Sequence, residues 1–138
     1  MKYHIDSLDQ LSIFVEAFLP QLKKNKIFLL YGEMGVGKTT FVQELLKKIG
    51  IIDLEGSPTY SLINSYWSEK YGKIYHIDLY RLKTIEEAYD IGLDEILNEN
   101  SFCFIEWPDK IKSMLPTSYT SISFFLNSDL MRTIEINE

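Results

Sequence analysis

The sequence predicts an α/β domain in which a mixed parallel and antiparallel sheet is flanked by helices, and three observations predict it. Residues 27–30 are continuously apolar, as a strand covered on both faces must be. A glycine-bearing stretch, residues 32–39, follows that strand directly, and after it Phe41, Val42, Leu45, Leu46 and Ile49 recur at helical spacing. Two further strand-like runs, 60–67 and 73–79, are joined by the short turn 69–72. Strands with so short a connection must run antiparallel, which excludes a purely parallel sheet.

Each element has its own signal. Residues 3–5 suit a short edge strand. Ser7 and Gln10 form a capping box for a helix whose apolar stripe is Leu11, Phe14, Val15, Phe18 and Leu19, with Pro20 at or near its end. Gly50 is a natural stop for the helix after the glycine loop. Residues 53–58 read as a connector. Thr84 and Glu87 make a second capping box for a helix that Gly92 ends, and residues 93–97 continue as a short helix. Residues 102–105 are a buried strand closed by Glu106. Pro108 starts a helix that ends before Pro116. Residues 120–126 and 132–136 are strands around an Asn127-Ser128-Asp129 turn.

With 138 residues, 46% of them hydrophobic and 25% charged, the chain is expected to form one domain, 1–138, with a real core. No apolar run approaches the ~20 residues of a membrane span. Asp6 and Asp9 interrupt any signal-peptide pattern. The single cysteine, Cys103, sits in an apolar run, so it reads as buried core in a protein of the reducing cytoplasm. The formal charge of −6 argues against tight binding of a nucleic-acid backbone by this chain alone; any RNA would be contacted mainly through a partner.

Gly32, Gly37, Lys38 and Thr39 fit G-x-x-x-x-G-K-[ST], the Walker A phosphate-binding loop, with the strand and helix that the motif requires on either side. Glycines let successive N–H groups turn inward as an anion nest, and the following helix adds its positive end. Gly32, Met34, Gly35, Val36, Gly37, Lys38, Thr39 and Thr40 are therefore expected to surround the phosphates of a nucleotide. Lys38 should reach the β- and γ-phosphates and Thr39 should ligate Mg²⁺. Such a loop needs an acid at the end of a neighbouring apolar strand, and two fit: Asp78, after Ile74-Tyr75-His76-Ile77, and Glu106, after Phe102-Cys103-Phe104-Ile105. Ser57-Pro58-Thr59 sits where many such NTPases place a loop that senses the γ-phosphate; a plain Ser-Pro turn reads equally well. His76 reads as structural, held by Asp78 two residues on. Arg81 reads as an internal arginine finger or a surface ion-pair partner, and Trp107 as a shield for the metal acid or as core.

Residues 32–40, Ser57-Pro58-Thr59-Tyr60, His76-Ile77-Asp78-Leu79-Tyr80-Arg81-Leu82 and Ile105-Glu106-Trp107-Pro108, in this order and spacing, resemble the bacterial TsaE (YjeE) family. These are small ATPases needed to make threonylcarbamoyladenosine in tRNA. The resemblance covers nearly the whole chain, and its last two segments are far more distinctive than the phosphate loop. It implies a compact P-loop NTPase fold with a mixed sheet and Mg²⁺ at Thr39 and Glu106. It also implies a water-orienting role for Asp78, a first switch-like loop at 57–59, which makes Thr59 a catalytic residue alongside Lys38, and Trp107 beside the metal acid. Residues 7–9 and Arg132 would lie toward the adenine. It further implies partnership with a TsaB–TsaD complex, in which TsaD carries the transferase chemistry and the ATPase supports repeated turnover. Glu33, Met34 and Val36 replace the Asp-Leu and Ala that members often carry in the loop, and the stretch after Arg132 is short.

Two other functions stay open on the residues: a nucleotide-gated assembly module with negligible hydrolysis, and a small-molecule kinase. Kinases of this loop class carry arginine-rich lids, whereas this chain has only Arg81 and Arg132.

Overall fold

The computed structural model describes residues 1–52, 54, 62–127 and 131–137. Its seven strands are β1 (Lys2–Ile5), β2 (Ile27–Tyr31), β3 (Ile63–Ser68), β4 (Gly72–Asp78), β5 (Phe102–Glu106), β6 (Thr120–Leu126) and β7 (Arg132–Asn137). They form one sheet in the order β1-β7-β6-β2-β5-β4-β3. Strands β6, β2, β5 and β4 run parallel, and antiparallel pairs close both sides, β3 on β4 and β7 with β1 on β6. The sheet is thus mixed, and an antiparallel hairpin of β3 and β4, anticipated from its short turn, forms one edge. The described strand β3 is Ile63–Ser68, with Leu62 before it at φ +63°, off the extended region; residues 60 and 61 of the anticipated strand lie outside the described set.

Alternation along the strands sends side chains to two cores. Phe28, Leu30, Ile74, Phe102, Phe104, Ile122 and Phe124 face α1 (Leu8–Phe18) and α2 (Lys38–Lys48). Ile27, Leu29, Tyr75, Ile77, Cys103 and Ile105 face α3 (Ile85–Asp90), α4 (Leu93–Asn98) and a 3₁₀ segment, Pro108–Met114. Covering both faces explains why β2 and β5 are apolar without alternation. The first core is aromatic: Phe28 stacks on Phe104 at 4.9 Å between centroids, and Phe18 meets Phe41 edge-on at 5.3 Å. Cys103 is fully buried, and burial pushes its thiol up to about 12, so it packs as core rather than reacting.

Both capping serine/threonine residues act. Ser7 Oγ accepts from Gln10 N at 3.2 Å, and Thr84 Oγ1 from Glu87 N at 3.3 Å. Gln10 returns its bond to the N–H of Asp6, one residue outside the cap, at 2.8 Å. After Phe18 the chain tightens into a 3₁₀ segment, Leu19–Lys23, that holds Pro20 in its first turn, where no N–H is missed. The stretch from Pro108 is 3₁₀ with a break at Ile111 (φ −125°) rather than one regular α-helix. Among the described residues no helix is long and apolar enough to cross a membrane.

Candidate functional site

The parallel block brings the carboxyl ends of β2, β5 and β4 together, the place where ligands enter open α/β sheets. The glycine loop 32–39 leaves β2 there, Glu106 ends β5, and Asp78 ends β4 with its Cα paired to that of Glu106. One cavity of about 1050 Å³ opens over these ends. Its lining includes Met34, Gly35, Val36, Gly37, Lys38, Thr39, Thr40, Asp78, Arg81, Glu106, Trp107 and Arg132. Gly32 lines a second, adjoining cavity of about 600 Å³ that shares Val36, Lys38, Trp107 and Phe124 with the first. Ser57, Pro58 and Thr59, read as a switch-like loop, lie outside the described residues.

The loop's glycines have local reasons. At Gly32 (φ +150°) a Cβ would stand 2.8 Å from Val36 Cγ1 and 2.9 Å from the carbonyl oxygen of Phe124, too close for any side chain. Gly37 caps α2 at φ +113°, a left-handed entry that aims the helix N-terminus into the cavity.

Lys38 is 4% exposed. Its ammonium donates to the carbonyl of Gly32 at 2.6 Å and stands 3.8 Å from the ring centroid of Trp107. Burial lowers its pKa, opposed by the nearby Glu106 and Asp78 carboxylates. Trp107 reaches this position through a left-handed backbone (φ +59°, ψ +50°), uncommon for a bulky residue and the kind of local strain that collects at functional sites. It packs against the second core, as the core reading expected, and its ring also caps the lysine and meets Tyr80 at 5.2 Å.

Thr39 Oγ1 donates to Glu106 Oε2 at 2.8 Å. Thus of the two strand-end acids, it is Glu106 that meets the threonine. Asp78 stands apart, its Oδ1 accepting from the N–H of Tyr80 at 3.0 Å. Burial is the largest influence on Asp78 and raises its pKa; the Tyr80 bond opposes this, and the Glu106 carboxylate adds to it.

His76 departs from the sequence reading. Its Nε2 contacts Glu106 Oε2 at 2.6 Å, so its partner is the acid on the next strand and not Asp78 on its own. Lys110 was not foreseen at all. Its ammonium donates to the carbonyls of Tyr80 and Leu82, tying the segment after Asp78 to the one after Glu106; no local motif signals it. Arg132, expected toward the adenine, lines the cavity with Asp6, Ser7 and Leu8, but its Cδ and Nε also come within 3.8 Å of the position a Cβ would take on Gly37. It therefore stands against the phosphate loop as well.

Residues 5–134 match the family described as "TsaE: Threonylcarbamoyl adenosine biosynthesis protein TsaE". The chain belongs to the TsaE family. Curated TsaE relatives named "tRNA threonylcarbamoyladenosine biosynthesis protein TsaE" include that of Rickettsia bellii, 40% identical over 137 residues and covering 96% of this chain and 91% of the relative. The TsaE protein of Borreliella burgdorferi is 38% identical, with 90% of each chain covered. Among solved structures, Bacillus subtilis YdiB superposes with a TM-score of 0.73 over 97% of this chain and 82% of its own, at 24% identity, a likeness of fold. As a TsaE family member the protein takes its place in threonylcarbamoyladenosine biosynthesis.

Proposed function

We propose that this protein binds ATP with Mg²⁺ and hydrolyses it slowly, serving the modification of tRNA as the accessory ATPase of a TsaB–TsaD-type complex. The observation that carries the proposal is the hydrogen bond from Thr39 to Glu106, at 2.8 Å, beside the buried ammonium of Lys38. A hydroxyl and a carboxylate converge at the mouth of an anion-binding loop, which is the donor set a hard divalent ion takes when phosphates and water supply the rest. Among the described residues no group of three or more His, Cys, Asp or Glu side chains is arranged to hold a metal unaided, which also suits an ion brought in largely by the nucleotide.

Thr39 and Glu106 would hold the ion, and when bound it neutralises charge on the β- and γ-phosphate oxygens. The loop N–H groups and the N-terminus of α2 bind the phosphates. Lys38 turns from the Gly32 carbonyl and the Trp107 ring toward the β- and γ-oxygens. Asp78, outside the Thr39–Glu106 contact, orients the attacking water and accepts its proton. Its raised pKa brings it closer to the range where a general base works best. The floor near Asp6, Ser7 and Leu8 is left for the base of ATP or ADP.

Slow hydrolysis follows from the scarcity of arginine. An arginine finger contributes about 10³–10⁵ in rate in related enzymes, and only Arg81 and Arg132 line this cavity. Single-turnover hydrolysis measured with and without TsaB–TsaD-type partners tests this. Turnover far below ~10 s⁻¹ for the isolated protein, rising with partners, is the expected result. Efficient turnover of the protein alone would contradict it, and no hydrolysis in either case would favour a nucleotide-gated assembly module.

A further inference from the structure

His76 and Glu106 form a buried pair to which the proposed chemistry assigns only one member. They are 1% and 3% exposed. His76 Nε2 stands 2.6 Å from Glu106 Oε2, the same oxygen that accepts from Thr39 Oγ1 at 2.8 Å. Toward an ionised carboxylate, which offers only acceptors, the imidazole is the donor through its Nε2–H. The pairing is built by register. His76 pairs with Phe104 and Asp78 with Glu106 on the parallel strands β4 and β5. Alternation places all four side chains on the face covered by α2, so the imidazole reaches diagonally forward to the carboxylate.

A buried carboxylate needs donors, and here two donors from two different elements, α2 and β4, fall on one oxygen. Together they restrict the carboxylate's rotation. An ion would take a lone pair of the Thr39 hydroxyl and leave its O–H donating to Glu106, while the imidazole adds a second donor, from another element, that the ion does not engage.

We propose that His76 is a positioning residue that fixes the orientation of the Glu106 carboxylate and so sets how tightly the site holds Mg²⁺ together with nucleotide. The inference rests on the metal role proposed for Glu106. Partners of metal ligands commonly change metal affinity or activity ten- to a hundred-fold when removed.

The test is titration of a non-hydrolysable ATP analogue in excess Mg²⁺ and again in EDTA, for the unsubstituted protein, His76→Leu and His76→Gln. His76→Leu is expected to cut the Mg²⁺-dependent gain in affinity by about ten-fold while leaving the affinity in EDTA unchanged. His76→Gln, whose terminal amide donates from near the Nε2 position, is expected to keep most of the gain. A full gain in His76→Leu would overturn the proposal. So would a loss in His76→Gln as large as in His76→Leu, since a donor would then not be what matters. Should His76→Leu lose binding in EDTA too, its fold is damaged and His76→Gln decides: a retained gain supports the donor role, and a lost gain overturns it. Absence of any Mg²⁺-dependent gain in the unsubstituted protein would instead sink the metal role of Glu106 itself.

Discussion

Replacing Lys38 by alanine is expected to weaken ATP binding by about ten- to a hundred-fold, the equivalent of the ~1.5–3 kcal/mol that a hydrogen bond to a charged group contributes. The ammonium is buried against the Gly32 carbonyl and the Trp107 ring, and the nearby Glu106 and Asp78 carboxylates offset only part of that burial. Burial lowers its pKa, so the site holds a cation at a cost that phosphate oxygens would relieve. Part of that gain is offset, because a cation–π contact of about 0.5–2 kcal/mol is given up when the lysine turns. Isothermal titration of both proteins with ATP reads the effect. Equal affinities would remove Lys38 from the phosphate site.

The second large effect separates the two acids. Glu106→Gln is expected to lower the Mg²⁺-dependent part of nucleotide affinity, because the side chain that meets Thr39 would lose its charge. Asp78→Asn is expected to leave binding within a few-fold and to reduce single-turnover hydrolysis by about 10²–10⁴, the usual contribution of a general base. The geometry motivates the split: both acids line the cavity, but Glu106 is bonded to Thr39, while Asp78 is fixed by the N–H of Tyr80. If Asp78→Asn abolished Mg²⁺-dependent binding while Glu106→Gln preserved it, the two roles would have to be exchanged.

What the sequence revealed of this arrangement was local. The glycine loop is written in eight consecutive residues, 32–39, and the strand and helix expected on either side of it form. The acids were legible as two candidates because each closes an apolar strand. The strand-end pattern alone left both open; the family resemblance paired Glu106 with Thr39, and the contact forms because β5 lies next to β2, whereas β4 lies one strand further out. The partner of His76 is hidden from the sequence because it, too, lies on the neighbouring strand. Asp78 is two residues away in sequence and on the same sheet face, but the donor bridges to Glu106, 30 positions on, through the register of β4 against β5. The place of Arg132 beside Gly37 likewise depends on β7 pairing between β6 and β1. The 3₁₀ geometry after Trp107 was hidden because Pro108 is equally at home in the first turn of either helix type, while the left-handed backbone at Trp107 leaves no mark in composition.

The most direct measurement is the affinity of the unsubstituted protein for ATP, by isothermal titration, in excess Mg²⁺ and in EDTA. Saturable binding at one site, tightened by Mg²⁺, is expected from a phosphate loop whose threonine and glutamate are already paired. No saturable heat in either buffer, or an affinity indifferent to Mg²⁺, would contradict an ATP–Mg²⁺ site at Lys38, Thr39 and Glu106.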